Sequence, residues 1–201
     1  MKFAVLDTNV LVSAMMAKDK MRSVPYLVLE NVARRNFKPI VDDCILDEYR
    51  EVLFRSKFNF VREIVEKQIE VLLRFAINEP VPETNVVLPD MDDVIFYNAA
   101  VAHKDKSAYL VTGNTKHFPN CDFVRTPREF LNILSPEGDT MMLNENEEIY
   151  DPSGLLELLR KAGEMAEKNG AADMTEEEIE AEIKAARAER RARKARLLKD
   201  A

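Results

Sequence analysis

The most constraining feature of this chain is an apolar segment near its N-terminus that ends in an aspartate. Residues 3–6 are Phe-Ala-Val-Leu, and Asp7, Thr8 and Asn9 follow directly. A short apolar run of this kind is typical of a buried strand in a parallel sheet, so Asp7 is predicted where the strand meets its loop. Ligands of open α/β sheets bind at that carboxyl edge. The alternative role for Asp7 is to cap the following helix.

Residues 1–134 alternate between strand-like and helix-like patterns, which predicts an α/β domain with a central parallel sheet. After the first strand, further strands are predicted at residues 39–41, 86–88, 108–111 and 122–124. The last helix of this domain is predicted from Thr-Pro-Arg-Glu at residues 126–129. This sequence places a capping Thr before a Pro at the first helical position, with Glu three residues after the cap.

The pattern changes after residue 134. A polar linker is predicted at residues 135–152, and a charged helical C-terminal extension at residues 153–201. The formal net charge of -7 is unevenly distributed, because an acidic excess at residues 137–182 precedes a basic block at residues 187–196. The net charge therefore argues only weakly against a nucleic-acid partner.

Composition excludes several classes of protein. Apolar residues make up 46% of the 201 residues, which is ample for a core, and no run approaches the ~20 apolar residues of a membrane span. The chain contains two cysteines, Cys44 and Cys121, which lack the number and spacing of a disulfide framework or a zinc site. We expect a cytoplasmic protein without a membrane partner.

Four polar side chains follow successive strands of the predicted sheet. Asp7 ends the first strand, and Glu48 lies in the helix after the second. Asp93 begins the helix after the third strand, and Asn114 follows the fourth. Such groups converge at one edge of a parallel sheet, where carboxylates repel one another unless a cation neutralises them. Oxygen ligands favour Mg²⁺ or Mn²⁺, and such a site is suited to hydrolysis of phosphodiesters.

Each of these residues also has an ordinary structural explanation. Acidic residues such as Asp93 are favoured in the first turn of a helix by about 0.3–1 kcal/mol. Glu48 lies beside Asp47 and fits an exposed helix surface, while Asn114 fits a turn in Thr-Gly-Asn. The coincidence of all four at the ends of successive elements favours the shared site.

Four segments carry a resemblance to a known family. Residues 6–10 are Leu-Asp-Thr-Asn-Val, residues 46–49 Leu-Asp-Glu-Tyr, residues 92–96 Asp-Asp-Val-Ile-Phe, and residues 110–118 Leu-Val-Thr-Gly-Asn-Thr-Lys-His-Phe. In order and spacing they resemble the motifs of PIN domains, in particular toxins of VapC type with a Thr-Gly-Asn-x-Lys-His-Phe segment. The resemblance spans residues 1–134. It implies a three-layer α/β/α fold and metal-dependent endoribonuclease activity in a toxin–antitoxin system.

The resemblance also assigns roles to residues. Asp7, Glu48 and Asp93 match the family acids that hold Mg²⁺ or Mn²⁺, and Asn114 completes the catalytic set. Many members have a fourth aspartate at the position of Asn114, so a neutral amide here implies weaker cation binding. Asp90 and Asp122 are candidates to replace that carboxylate.

Further polar residues are assigned to RNA binding by the same resemblance and by their charge. Thr8 and Asn9 match the polar residues that orient the first acid. The whole RNA-binding set is Thr8, Asn9, Lys116, His117, Arg125 and Arg128. The expected partners are RNA, an antitoxin protein, and further copies of the chain in a homodimer or higher oligomer.

Two other functions share parts of this pattern. Phosphotransferases of the haloacid dehalogenase type also begin with a strand-borne aspartate, but they need Asp-x-Asp where this chain has Asp7, Thr8 and Asn9. The missing second aspartate argues against that function. The remaining alternative is a PIN-like RNA-binding or regulatory module with feeble catalysis, which Asn114 keeps open.

The C-terminal helix predicted at residues 175–199 is polarised from acidic to basic, as the helix dipole favours. Residues 187–196 carry six cations against one Glu, and Ile179 and Ile183 form a thin apolar stripe. One interpretation is a solvated helix held by charge pairs along its own surface. The other is that this helix packs on its own or a neighbouring PIN domain, where an arginine enters the carboxylate cluster and restrains the nuclease.

Overall fold

A computed structural model describes residues 1–20, 22–135 and 154–199 of the chain. Most of the predicted linker at residues 135–152 lies outside the described residues. The described strands form one parallel sheet. They are β1 (Lys2–Leu6), β2 (Phe37–Val41), β3 (Ile77–Asn78), β4 (Tyr109–Val111) and β5 (Val124–Arg125).

The described residues form eight α-helices, which flank the sheet. They are α1 (Thr8–Met15), α2 (Val24–Ala33), α3 (Asp43–Leu53), α4 (Arg62–Phe75), α5 (Val94–Ala102), α6 (Pro127–Leu134), α7 (Leu155–Asn169) and α8 (Glu176–Leu197). The α/β class, the central parallel sheet and the helical C-terminal extension are confirmed. None of the described helices is both long enough and apolar enough to cross a membrane.

The strand order β3-β2-β1-β4-β5 places β1 at the centre of the sheet. Ala4 pairs with Pro39 of β2 on one side and with Tyr109 of β4 on the other. Ala4 and Val5 are fully buried, which explains the continuous apolar run in the sequence. The loops after β1 and β4 consequently lie side by side at the carboxyl edge, where the polar residues are expected.

The prediction of a third strand at residues 86–88 is wrong. The third strand is β3, which is only two residues long and pairs with the end of β2. Two prolines follow shortly after it, Pro80 and Pro82, and a proline has no N–H to donate to a strand ladder. Val87 is largely exposed while Leu88 is buried, so this segment contributes an apolar contact without pairing.

Helix α7 packs against α1, α2 and α4. Its buried face consists of Leu155, Leu159, Ala162, Gly163 and Ala166. A Cβ at Gly163 would lie 2.8 Å from the carbonyl oxygen of Ala17, so only glycine permits this close approach. The helix ends at Gly170, whose φ of 78° is the left-handed conformation that favours glycine.

Candidate metal centre

Asp7 is held at the carboxyl end of β1 by its own backbone and by two side chains. Its N–H donates to the carbonyl of Val111, which continues the pairing of β1 with β4. Its carboxylate accepts hydrogen bonds from Thr112 Oγ1 at 2.6 Å and Asn9 Nδ2 at 3.1 Å. Although Asp7 occupies the N-cap position of α1, its side chain makes no capping hydrogen bond. The capping alternative for Asp7 is therefore wrong, and its carboxylate is oriented towards the site.

The surroundings of Asp7 disfavour its charged form. Burial and the nearby Asp93 carboxylate raise the pKa of Asp7 to about 7, although Arg187 and the Thr112 hydroxyl act in the opposite direction. A buried carboxylate with a raised pKa near a second acid is typical of functional sites. In the absence of a cation, Asp7 is thus partly protonated near neutral pH.

Glu48 is fully buried on α3, and neighbouring elements hold it in place. The carboxylate of Asp42 caps α3 by accepting from the N–H of Ile45 at 2.8 Å. The next residue after Glu48, Tyr49, donates its hydroxyl to the carbonyl of Leu6 and so ties α3 to the end of β1. Thr8 donates its hydroxyl to Glu48 Oε1 at 3.3 Å. Glu48 therefore faces the first acid and is not the exposed helix glutamate of the alternative.

Asp93 is 1% exposed and lies in a short 3-10 turn just before α5. Asp90 caps this turn by accepting from the N–H of Asp92 at 3.0 Å. Burial raises the pKa of Asp93, an effect that the Arg187 guanidinium opposes and the Asp90 carboxylate reinforces. A favourable interaction with the helix dipole does not explain why the Asp93 carboxylate is fully buried and in contact with the Arg187 guanidinium.

His117 and Asn114 form a hydrogen-bonded chain that ends on Asp93. Asp93 Oδ2 lies 2.8 Å from His117 Nδ1, and His117 Nε2 lies 2.8 Å from Asn114 Nδ2. Because an amide nitrogen can only donate, Nε2 accepts, and a neutral His117 then donates from Nδ1 to Asp93. The Asn114 amide also donates to Glu180 of α8 at 3.2 Å. Asn114 thus orients His117. Its position, where many family members have a fourth aspartate, did not indicate this role.

The donor set fits a divalent cation. Ligand atoms of Asp90, Asp93 and His117 all lie within 4.8 Å of one another. The two carboxylates suit a hard ion such as Mg²⁺ or Mn²⁺. His117 would become a ligand only by giving up one of its hydrogen bonds to Asp93 and Asn114. Asp90, a candidate substitute at the sequence level, belongs to this group. The structure does not bring Asp122 into it. The Glu48 carboxylate adjoins the group through Arg187, and Asp7 interacts with Asp93 and Arg187 electrostatically.

Arg187 of α8 occupies the middle of the carboxylates and is 2% exposed. Its guanidinium lies 2.6 Å from Glu48 Oε1, 2.7 Å from Asp93 Oδ1 and 3.1 Å from Asp90 Oδ2. These contacts raise the pKa of Arg187 above its already high ordinary value, against the effect of burial. The signal for this residue in the sequence is its spacing, because Ile179, Ile183 and Arg187 recur every four residues on one helix face.

Some of the residues predicted to bind RNA are buried inside the site, and others lie at or near the surface. Thr8 and Asn9 are buried, and their side chains hold Glu48 and Asp7, so neither offers a surface to RNA. Lys116 is exposed in the turn that carries His117. The Arg125 guanidinium donates to the carbonyls of Val124 and Cys121, and Arg128 is exposed in the first turn of α6.

The sequence comparison identifies the family. A model of the PIN domain matches residues 4–116, which include Asp7, Glu48, Asp93 and Asn114.

The chain belongs to the PIN-domain family.

Membership assigns this chain to a nuclease-like fold whose members generally use divalent metals, and the cluster of Asp90, Asp93 and His117 agrees with that use. Comparison with curated proteins and with solved structures gives no significant match. The matched region ends well before α7 and α8, so the PIN domain as a family accounts for neither helix of the C-terminal extension.

Proposed function

We propose that this PIN-domain protein is a metal-dependent endoribonuclease that hydrolyses RNA phosphodiester bonds and acts as the toxin of a VapC-like toxin–antitoxin system. The observation that carries the proposal is the convergence of three buried carboxylates, Asp7, Glu48 and Asp93, from separate elements at one edge of the sheet. Each is oriented by a dedicated partner. Burying several carboxylates together costs free energy, so a purely structural role does not explain why three of them converge here.

The chemistry follows from the donors. Asp7, Glu48 and Asp93 would hold Mg²⁺ or Mn²⁺. Asp90 and His117 lie beside them, with ligand atoms within 4.8 Å of one on Asp93. A bound divalent cation supplies a hydroxide equivalent from water near neutral pH and stabilises charge on the phosphate oxygens. Thr112, Asn9 and Thr8 keep the acids in fixed orientations. Exposed cations such as Lys116 and Arg128 are available for contacts with RNA phosphates, which position a substrate without selecting its sequence.

The test is cleavage of a fluorescent single-stranded RNA by the purified full chain across Mg²⁺ and Mn²⁺ concentrations. We expect Asp93→Asn and Asp7→Asn each to lower the cleavage rate by about a hundredfold or more, because each removes a cation ligand. Asp122→Asn, which removes an exposed acid outside the cluster, is the matched control and should retain the parent rate. Equal rates in Asp93→Asn and Asp122→Asn would contradict the proposal.

A second function is favoured by a specific observation. The Asn114 amide is engaged with His117 and Glu180, so it supplies no fourth carboxylate to the cation. A PIN-like RNA-binding or regulatory module with feeble catalysis would have this feature. That function predicts RNA retention in a filter-binding assay with no product at any Mn²⁺ concentration, in the parent and in Arg187→Ala alike.

The antitoxin and the homodimer or higher oligomer remain proposals that rest on the resemblance to VapC-type proteins. An antitoxin would be identified by co-expression of the adjacent open reading frame, followed by co-purification and loss of RNA cleavage.

A further inference from the structure

Helix α8 covers the candidate metal centre along its length. Near its start, Glu180 accepts from the Asn114 amide at 3.2 Å. In its middle, Arg187 contacts Glu48, Asp90 and Asp93. Towards its end, Arg193 forms an ion pair with Glu51 on α3. The helix therefore crosses the whole group of acids from one side to the other.

Two arginines of α8 take both oxygens of Glu48. Arg187 donates to Oε1 from Nε at 2.8 Å and from Nη2 at 2.6 Å, while Arg190 donates to Oε2 at 2.7 Å. Arg190 also lies 3.4 Å from Asp92 Oδ1. Arg187 and Thr8 together occupy the acceptor sites of Oε1, and Arg190 occupies one of those on Oε2. Two guanidinium charges in contact with Glu48 repel a divalent cation, so these contacts oppose its ligation by Glu48.

The same exclusion applies to Asp93 and Asp90. The Nη1 of Arg187 is 2.7 Å from Asp93 Oδ1 and 3.1 Å from Asp90 Oδ2, which places a positive charge between two ligands of the candidate site. A divalent cation in contact with these oxygens would lie within repulsive distance of the guanidinium. Either the Arg187 guanidinium or a divalent cation can neutralise these acids, but the two cannot occupy the same carboxylates together.

The contacts that hold α8 are suited to reversible release. Among its 22 residues, the buried ones are Ile179, Ile183, Ala186 and Arg187. The remaining attachment consists largely of ion pairs, including Arg55 with Glu182 at 2.6 Å and Arg190 with Glu51 at 3.4 Å. The outer pairs, such as Arg193 with Glu51, have partly exposed side chains and contribute little net free energy each. The buried pairs of Arg187 are costly to break unless another cation takes the place of the guanidinium. A ligand that binds the carboxylates in place of Arg187 can therefore compete with the helix.

We propose that α8 is an intramolecular inhibitor of cation binding, in which Arg187 and a divalent cation occupy the same carboxylates in alternation. The closed state shields Glu48, Asp90 and Asp93, and the open state binds the cation and admits substrate. The exclusion between helix and cation needs no nuclease activity. Its consequence for RNA cleavage rests on the function proposed above.

The first experiment uses the unmodified full chain and hydrogen exchange measured by mass spectrometry, with Mn²⁺ as the probe. Saturating Mn²⁺ should accelerate amide exchange in peptides covering residues 176–197 and leave peptides covering residues 155–169 unchanged. The latter belong to α7 and serve as the internal control. Bound Mn²⁺, demonstrated by calorimetry, together with unchanged protection of α8 would overturn the inference.

The second experiment compares Mn²⁺ affinity in three variants of the full chain. Arg187→Ala should bind Mn²⁺ at least about tenfold more tightly than the parent, because apparent affinity is reduced by the fraction of closed molecules. Lys184→Ala removes an exposed cation from the same helix and should match the parent within about twofold. Arg187→Lys retains the positive charge but lacks the planar set of guanidinium donors, so we expect an intermediate Mn²⁺ affinity. This variant also tests the competition if Arg187→Ala does not fold.

Equal Mn²⁺ affinity in the parent and in both Arg187 variants would refute the competition, as would failure of all of them to bind Mn²⁺. RNA cleavage is measured separately at a subsaturating Mn²⁺ concentration. Tighter Mn²⁺ binding by Arg187→Ala without RNA cleavage would leave the exclusion standing and refute the proposed nuclease. Cleavage that is equally fast in the parent and in Arg187→Ala would support the nuclease and refute inhibition by α8.

Discussion

The two helices of the C-terminal extension are attached to the PIN domain by different forces. Helix α7 inserts a continuous apolar face between α1, α2 and α4, with Leu155, Leu159, Ala162 and Ala166 fully buried. Helix α8 contacts α1 and α3 through a thin apolar stripe and many ion pairs. Apolar packing in a core is lost only on unfolding, whereas ion pairs at a surface exchange with water and salt. The difference suggests that α7 is structural and that α8 can dissociate while the domain remains folded.

The largest expected effect is that of Leu159→Ala in α7. Truncating a fully buried leucine should lower the free energy of unfolding by about 2–5 kcal/mol, because it removes buried apolar surface and leaves a cavity. Urea denaturation followed by circular dichroism measures the change. Leu197→Ala on α8, where the side chain is 65% exposed, is the control and should change the free energy of unfolding by less than about 0.5 kcal/mol. Similar losses in both variants would remove the contrast between the helices.

A second large effect is the pH dependence of stability that arises from Asp7. The pKa of Asp7 is raised from its ordinary value of 3.8 to about 7, so the folded state binds a proton more tightly than the unfolded state does. The stability that this proton contributes is fully present below pH 3.8 and is lost as the pH rises through about 7. The loss for metal-free protein should reach about 2–4 kcal/mol at pH 8, since one pKa unit corresponds to about 1.4 kcal/mol.

Asp7→Asn tests this pH dependence directly. In chelator-treated protein the variant should be more stable than the parent at pH 8 and similar to it at pH 4. Denaturant titrations at several pH values between 4 and 8 measure the difference. Parallel stability profiles for parent and variant would show that Asp7 is not the group responsible.

Salt should destabilise α8 more than α7, with a smaller effect than those above. Raising NaCl from 0.1 M to 1 M shortens the Debye length from about 10 Å to 3 Å and weakens the exposed ion pairs of α8. We expect the free energy of local opening of α8 to fall by about 1–2 kcal/mol, while that of α7 stays nearly constant. Hydrogen exchange in peptides from residues 176–197 and 155–169 measures both quantities. Equal acceleration of the two sets would indicate that the helices open as one unit.

The smallest expected effect comes from two equivalent helix caps. Thr126 begins α6 and Thr175 begins α8, each in a complete capping box with a glutamate three residues later. Replacing either threonine by alanine removes about 1 kcal/mol of helix stability. Thr126→Ala should lower the global free energy of unfolding, because Phe130 of α6 belongs to the core. Thr175→Ala should increase exchange within α8 only, and a global loss equal to that of Thr126→Ala would contradict the distinction.

Much of the site was predictable from local sequence because its residues follow strands of a parallel sheet. The run before Asp7 predicted a buried strand, and β1 lies at the centre of the sheet. Thr126 caps α6 as its sequence context predicts. The third strand was misplaced because β3 has only two residues, too few for any alternating pattern, and its pairing with β2 is a non-local interaction.

The sequence by itself determined where α6 begins, which carboxylates follow the strands, and that the last helix is polarised from acidic to basic. These properties depend on neighbours within about four positions along the chain. Only the tertiary structure decided that Asn114 orients His117, that His117 contacts Asp93, and that Arg187 alone among six nearby cations reaches Glu48 and Asp93 together. That choice depends on how α8 crosses α1 and α3. The crossing is set by the packing of Ile179, Ile183 and Ala186 against residues more than a hundred positions away, and no local pattern encodes it.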